Sequence, residues 1–326
     1  MRFFSIFLIF LIISGGGCKQ KSDDETEDLR HQKLLGRANL SRIKDLLHKL
    51  ASPEFGGRGA FTKESKKTAI LIKNSFIAAG LQPFKKSWLQ KFSVRGKVDQ
   101  NVIGVIKGTS EHYIILGAHS DHLGNVNGKI YPGADDNGSG LSVLLETAHI
   151  LAKGKFKHNL LFIAFGGEEK FMQGSQYFVR AKSVQINKID YMINLDMVGR
   201  NFMEISMEDK IPDGLGVLTS GVEYNLEKLL LKLAKKENLQ LISISESLLR
   251  KFGPDNLYYD AIPFSRKGIK TLAFTTGLHR QYHTPQDTID KIKFKKLIRI
   301  SRYISRLLIK LAKIESIPKT SQPQNK

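Results

Sequence analysis

Apolar residues along this chain gather in short continuous runs, and between the runs they recur at helical spacing. The runs at 101–106, 113–118, 160–165, 191–195, 239–244 and 271–275, rich in Val, Ile, Leu and Phe, predict strands. Residues 140–152, 175–181 and 224–236 carry apolar positions three and four apart and predict helices, as do 41–50 and 64–79 around the loop SPEFGGRGA. Strands that are apolar throughout and alternate with helices predict a mixed, mainly parallel sheet covered on both faces, a three-layer α/β/α architecture. No repeat and no second compositional block interrupts it, so 36–317 is expected to form one domain and 318–326 a flexible tail.

The two ends differ from the body. Arg2, the mostly apolar stretch 3–13 and the small residues Ser14, Gly15, Gly16 and Gly17 form the parts of an export signal over 1–17. The only cysteine, Cys18, follows directly and resembles the lipobox cysteine of bacterial lipoproteins, although Gly15 stands where that pattern carries Leu. This implies an exported, lipid-anchored protein with a polar tether over 18–35, facing the periplasm or cell exterior; a secreted soluble form is the alternative. A single cysteine excludes an intramolecular disulfide. Net charge is +20, and 291–326 alone contributes +10. The apolar stripe Phe294, Leu297, Ile298, Tyr303, Ile304, Leu307, Leu308 and Leu311 predicts a terminal helix there. Its basic residues form either a solvated face or a contact with anionic lipid that adds to the anchor at Cys18. No nucleic-acid module is visible, and no nucleic-acid partner is expected.

Five polar stretches punctuate the predicted strand ends: GAHSD, PGADDNGSG, GGEEK, NLDMVGR and YHTPQDT. They supply two imidazoles and several carboxylates, the donor types that zinc accepts without cysteine. His119, the pair Glu168 and Glu169, and Asp196 each follow a strand, so they converge on the rim where α/β sheets bind ligands. A pair of ions needs one bridging carboxylate, which Asp135 or Asp136 offers. Of Glu168 and Glu169, one suits a metal and the other a general base. Asp121 is placed to hold the second nitrogen of His119. His31, His48, His112, His149, His158 and His279 read as surface or core residues, and so does His122, which an extended backbone turns away from His119.

In this order the five motifs closely resemble the co-catalytic dizinc aminopeptidases of the bacterial leucyl aminopeptidase and glutamate carboxypeptidase superfamily, over about 50–311. The resemblance implies a zinc-exopeptidase fold, peptide substrates and two zinc ions, or other divalent metals. It assigns His119 and Asp196 to one ion, Glu169 and His283 to the other, Asp136 as the bridge followed by a cis peptide, and Glu168 as the general base. Tyr282 matches a tyrosine that donates to the tetrahedral oxyanion in some members. FGPDN at 252–256 departs from the Ser-Asp-His of relatives, with Asp255 matching the aspartate. Glutaminyl cyclases share the scaffold but use one zinc and a tryptophan where Tyr282 stands; Trp88 lies far upstream. A carboxypeptidase specificity would need a basic pocket, and a binding protein on a degenerate peptidase domain would have lost ligands.

Overall fold

The computed structural model describes residues 23–204, 211–245 and 259–312, with the side chains of α1 described from Leu29. The signal stretch, Cys18 and the tail lie outside these residues, as does FGPDN.

Five helices precede or flank the first half of the sheet: α1 Asp23–Leu35, α2 Leu40–Leu50, α3 Lys63–Ala79, α4 Gly140–Leu151 and α5 Gln173–Arg180. The second half carries α6 Tyr224–Lys236, the short α7 Ile262–Ser265 and the terminal α8 Phe294–Leu311. The helix ends follow local chemistry. The Asn39 side chain accepts from Ser41 N at 2.8 Å and caps α2, and Thr62 caps α3 in the same way, each contributing about 1 kcal/mol. Gly80, left-handed at φ 93°, ends α3.

The strands are β1 Gln82–Pro83, β2 Leu89–Val94, β3 Lys97–Ile106, β4 Tyr113–His119, β5 Gly124–Val126, β6 Lys129–Tyr131, β7 Asn159–Phe165, β8 Ile189–Leu195, β9 Gly214–Ser220, β10 Gln240–Ser243 and β11 Lys270–Thr275. Nine of them form one sheet in the order β1-β3-β7-β4-β8-β11-β9-β10, with β2 hydrogen-bonded to β3, while β5 and β6 form a separate hairpin. β7, β4, β8 and β11 run parallel in the centre; β3 and β9 pair antiparallel to that block. The sheet is mixed and mainly parallel at its core, as expected.

Side chains alternate between two apolar layers. Ile114, Leu116, Leu160, Phe162, Ile193 and Leu272 face the layer built with α1 to α4, α6 and α8. Ile115, Leu161, Ile163 and Phe165 face the second layer, with Phe178 of α5 and Phe264 of α7. The predicted strands and helices are all present, with bounds shifted by a few residues, whereas β1, β2, β5, β6, β9, α1 and α7 have no counterpart among them.

Two expectations need correction. The polar segment read as a tether is helical from Asp23, and Leu35 at its end is buried in the core between α4 and α8. Composition suggested solvation, but tertiary packing of the last turn supplies what local sequence lacks. The second concerns the basic face of α8. This helix is buried over most of its surface, and its basic residues are largely consumed internally. Arg302 and Arg306 donate to Glu237, Arg299 pairs with Asp213, and the buried Lys296 donates to the carbonyls of Arg200 and Gly214. Lys295 and Lys310 of this helix stay exposed. Among the described residues no helix is long and apolar enough to cross a membrane.

The end of α8 is tied down by a histidine. Nδ1 of His158 donates to the carbonyl of Ala312 at 3.0 Å, and Nε2 contacts Asp190 at 3.1 Å. Both partners are acceptors, so both ring nitrogens must carry protons. Burial disfavours that charge, but the bonds to Asp190 and Ala312 raise the pKa of His158 above its ordinary value. With the folded pKa above the unfolded one, this stabilisation is complete below the unfolded value and is lost as pH rises through the folded value. His158→Gln should therefore destabilise the protein by about 1 to 2 kcal/mol near pH 5.5 and by less near pH 8.5, a difference read from denaturation midpoints at the two pH values.

Candidate metal centre

Three adjacent parallel strands deliver the first donors to one rim. β4 ends at His119, opposite Phe165 at the end of β7, and β8 lies on the other side of β4. The turns after β7 and β8 carry Glu168, Glu169 and Asp196. Asp136 and His283 come from loops, and those loops are stitched to the rim by hydrogen bonds. Asn137 donates to Leu195 O at 2.8 Å and its side-chain oxygen accepts from Met197 N, joining the Asp136 loop to the turn after β8. The Asp287 carboxylate accepts from the backbone of Asp135 and Asp136 at 3.0 Å, joining that loop to the one bearing His283. Asp135 turns its own carboxylate to Gly199 N at 2.7 Å, so Asp136 is the aspartate that faces the imidazoles. The peptide bond from Asp136 to Asn137 is cis.

Beneath these loops lies Arg58, wholly buried. Its guanidinium donates to five carbonyls: Ser120, Leu50, Pro132, Gly133 and Asp136. Burial lowers its pKa, while the charges of Asp136, Asp287, Asp121 and Glu169 work the other way.

The donors form two sets that share Asp136. Nε2 of His119 lies 3.3 Å from Asp196 Oδ1 and 3.4 Å from Asp136 Oδ1. Nε2 of His283 lies 3.2 Å from Asp136 Oδ2 and 3.3 Å from Glu169 Oε2. Atoms bonded to one tetrahedral zinc at about 2.0 to 2.2 Å stand about 3.3 to 3.5 Å from each other, so both sets fit such an ion. Asp136 Oδ2 is buried without a hydrogen bond, as an oxygen reserved for a cation would be.

The electrostatics agree. Burial opposes charge on His119, yet Asp196 and Glu168 beside it hold its pKa well above the usual imidazole range. His283 is raised to about 10 in the same way by Asp136 and Glu169. Glu169 is lowered to about 2, because His122 and His283 outweigh its burial. A divalent cation can take the place of the protons that these imidazoles otherwise hold. Glu168 behaves oppositely: burial first, then the neighbouring carboxylates, push its pKa well above the usual carboxylate range.

The structure brings His119, Asp136, Glu168, Glu169, Asp196, Tyr282 and His283 to one cavity of about 300 Å³. Tyr282 stacks on the His283 ring with centroids 3.8 Å apart, and burial raises its pKa so that its hydroxyl stays protonated. The far wall is apolar, with Met197, Met203, Leu218, Ile244 and Phe274.

Two site expectations change. Asp121 does not hold His119 through its carboxylate; its backbone carbonyl lies 3.1 Å from His119 Nδ1. The carboxylate instead accepts from the N–H groups of Glu168 and Glu169 and fixes the turn that carries both. His122, expected to point away, is buried with Nδ1 2.9 Å from Glu169 Oε1. The backbone is not extended there: β4 stops at His119, and His122 N donates back to Arg58 O. Asp260 was not singled out from the sequence. It is fully buried within the field of His119 and Asp196, and burial pushes it up to about 7. A lone acid directly before the apolar run AIPF was the available signal.

A sequence model of the family described as "Peptidase family M28" matches residues 101–308. The chain is 27% identical over 258 residues to "Aminopeptidase YwaD" of Bacillus subtilis, covering 74% of this chain and 51% of that protein, so it spans about half that relative's length. The structure of the LapA aminopeptidase of Legionella pneumophila superposes with a TM-score of 0.70 at 20% identity, over 88% of this chain and 75% of that one. BSAP, a zinc aminopeptidase from Bacillus subtilis, does so at 0.67 and 18% identity, over 86% and 97%. At these identities the structural likeness is one of fold.

Because Arg58 satisfies five carbonyls that would otherwise be buried unpaired, Arg58→Met should cost on the order of 3 kcal/mol or more. Urea denaturation of the metal-free protein measures this.

Proposed function

The chain belongs to peptidase family M28, and on that premise we propose that it is a zinc aminopeptidase that removes N-terminal residues from peptides. The observation that carries this reading is Asp136, whose two oxygens face two separate donor sets. A one-metal centre, as in the cyclase alternative, does not need a shared carboxylate. His119 and Asp196 would hold one ion, Glu169 and His283 the other, with Asp136 between them. When bound, the ions supply Lewis acidity at the scissile carbonyl and lower the pKa of the attacking water.

The remaining steps belong to the chain. Glu168, adjacent to the donors and free of hydrogen bonds to them, accepts a proton from the attacking water and returns it to the leaving amine. Tyr282, protonated and beside His283, donates to the oxygen on which negative charge develops. The apolar wall receives the side chain of the N-terminal residue.

Glu168→Gln should retain two zinc equivalents while kcat falls by roughly 10²- to 10⁴-fold; activity near wild type would contradict the role of Glu168. A panel of peptides with free and blocked N-termini tests the specificity, since only the free amines should be cleaved. We further propose that Cys18 carries a lipid that holds the exported protein at a membrane, which rests on the sequence around it. Cys18→Ser should move the protein from the membrane to the soluble fraction, and unchanged fractionation would contradict the anchor.

A further inference from the structure

His122 is the buried histidine at the centre outside the two donor sets described above, although a ring nitrogen of it also lies near enough to Asp136 and Glu169 to share an ion with them. We propose that it is a positioning residue for the ion held by Glu169 and His283: its Nδ1–H fixes Oε1 of Glu169, so that Oε2 alone is presented to the metal. This deepens the metal-centre reading above and rests on it.

Three observations carry the inference. The two oxygens of Glu169 have different partners, with Oε1 2.9 Å from His122 Nδ1 and Oε2 3.3 Å from His283 Nε2. The first distance is that of an ordinary hydrogen bond, and the second is the spacing of two atoms on one ion. The atoms near Nδ1 are carboxylate oxygens, Glu169 Oε1 at 2.9 Å and Asp136 Oδ2 at 3.5 Å, which only accept, and the shorter distance is that of a hydrogen bond donated by a protonated Nδ1. Finally, Nε2 of His122 is buried with no hydrogen-bond partner.

That last atom separates a donor from a ligand. If Nδ1 bound the metal, the proton would sit on Nε2, leaving a buried donor with no acceptor, which is costly. With the proton on Nδ1, Nε2 is a bare nitrogen and no donor is orphaned. Direct ligation would also add a protein donor to Asp136, Glu169 and His283 and close the position that a catalytic site keeps open.

The ring is held for this purpose. His122 N donates to Arg58 O, and a Cβ on Gly133 would stand 2.5 Å from the ring's Cδ2. Gly133 sits at φ 56°, so a residue with a side chain would be strained there as well as meeting the ring.

The test is zinc titration against a competing chelator for the wild type, His122→Ala and His122→Asn, whose amide nitrogen stands where Nδ1 does. In His122→Ala one of the two zinc dissociation constants should rise about 10- to 100-fold with the other nearly unchanged, and His122→Asn should recover most of the loss. Equal affinities in wild type and His122→Ala would overturn the proposal, as would a His122→Asn variant as weak as His122→Ala. ¹⁵N spectra of the wild-type dizinc protein, labelled at histidine, do not depend on either variant folding. They should show His122 protonated at Nδ1, and a zinc-bound Nδ1 would overturn the assignment. Wild-type protein that takes up no zinc would instead reject the metal-centre reading, and this shows before any variant is made.

Discussion

One guanidinium sets the geometry on which the centre depends. Arg58 finds carbonyl acceptors on three separate segments, at Leu50, at Ser120 beside His119, and along 132–136 up to Asp136. A planar fork with five donors fixes the relative positions of those segments in a way that a lysine could not. It also places a positive charge beneath a cluster of carboxylates that repel each other. Its partners are neutral carbonyls, so it leaves the oxygens of Asp136 free to face the imidazoles.

From that base the centre is built by loops that bind one another more than they bind the sheet. Asp287 holds the backbone of Asp135 and Asp136, Asn137 holds the turn after β8, and Asp121 holds the turn with Glu168 and Glu169. Each is a polar residue whose side chain satisfies buried backbone, which is what allows irregular loops to be buried at all. The candidate donors thus inherit their positions from residues outside the two donor sets. The parallel strands supply only a common rim and a rigid floor.

The parts of this arrangement legible in the sequence are those set by local pattern. Apolar runs located the central strands, and helical spacing located α2, α3, α4, α6 and α8 within a few residues. The motifs pointed to the side chains that gather at the rim, because each follows a strand end. What stayed hidden depends on contacts between distant segments. Nothing local shows that the carboxylate of Asp121 serves backbone groups some fifty residues on, or that the chain folds back at His122 rather than continuing straight. Arg58 sits in the loop SPEFGGRGA, and nothing local in that loop shows that its carbonyl partners lie on other segments. The basic residues of α8 read as a surface because their partners Glu237 and Asp213 lie far away in the chain. The helix at the start was hidden by its polar composition, since only its last turn meets the core.

The central claim is that two ions share Asp136. Crystals of the zinc-loaded protein, measured at the zinc absorption edge, test it directly through anomalous scattering. The account predicts two peaks about 3.5 to 4 Å apart, one on each side of the Asp136 carboxylate. A single peak, or two peaks that do not share that carboxylate, would contradict it.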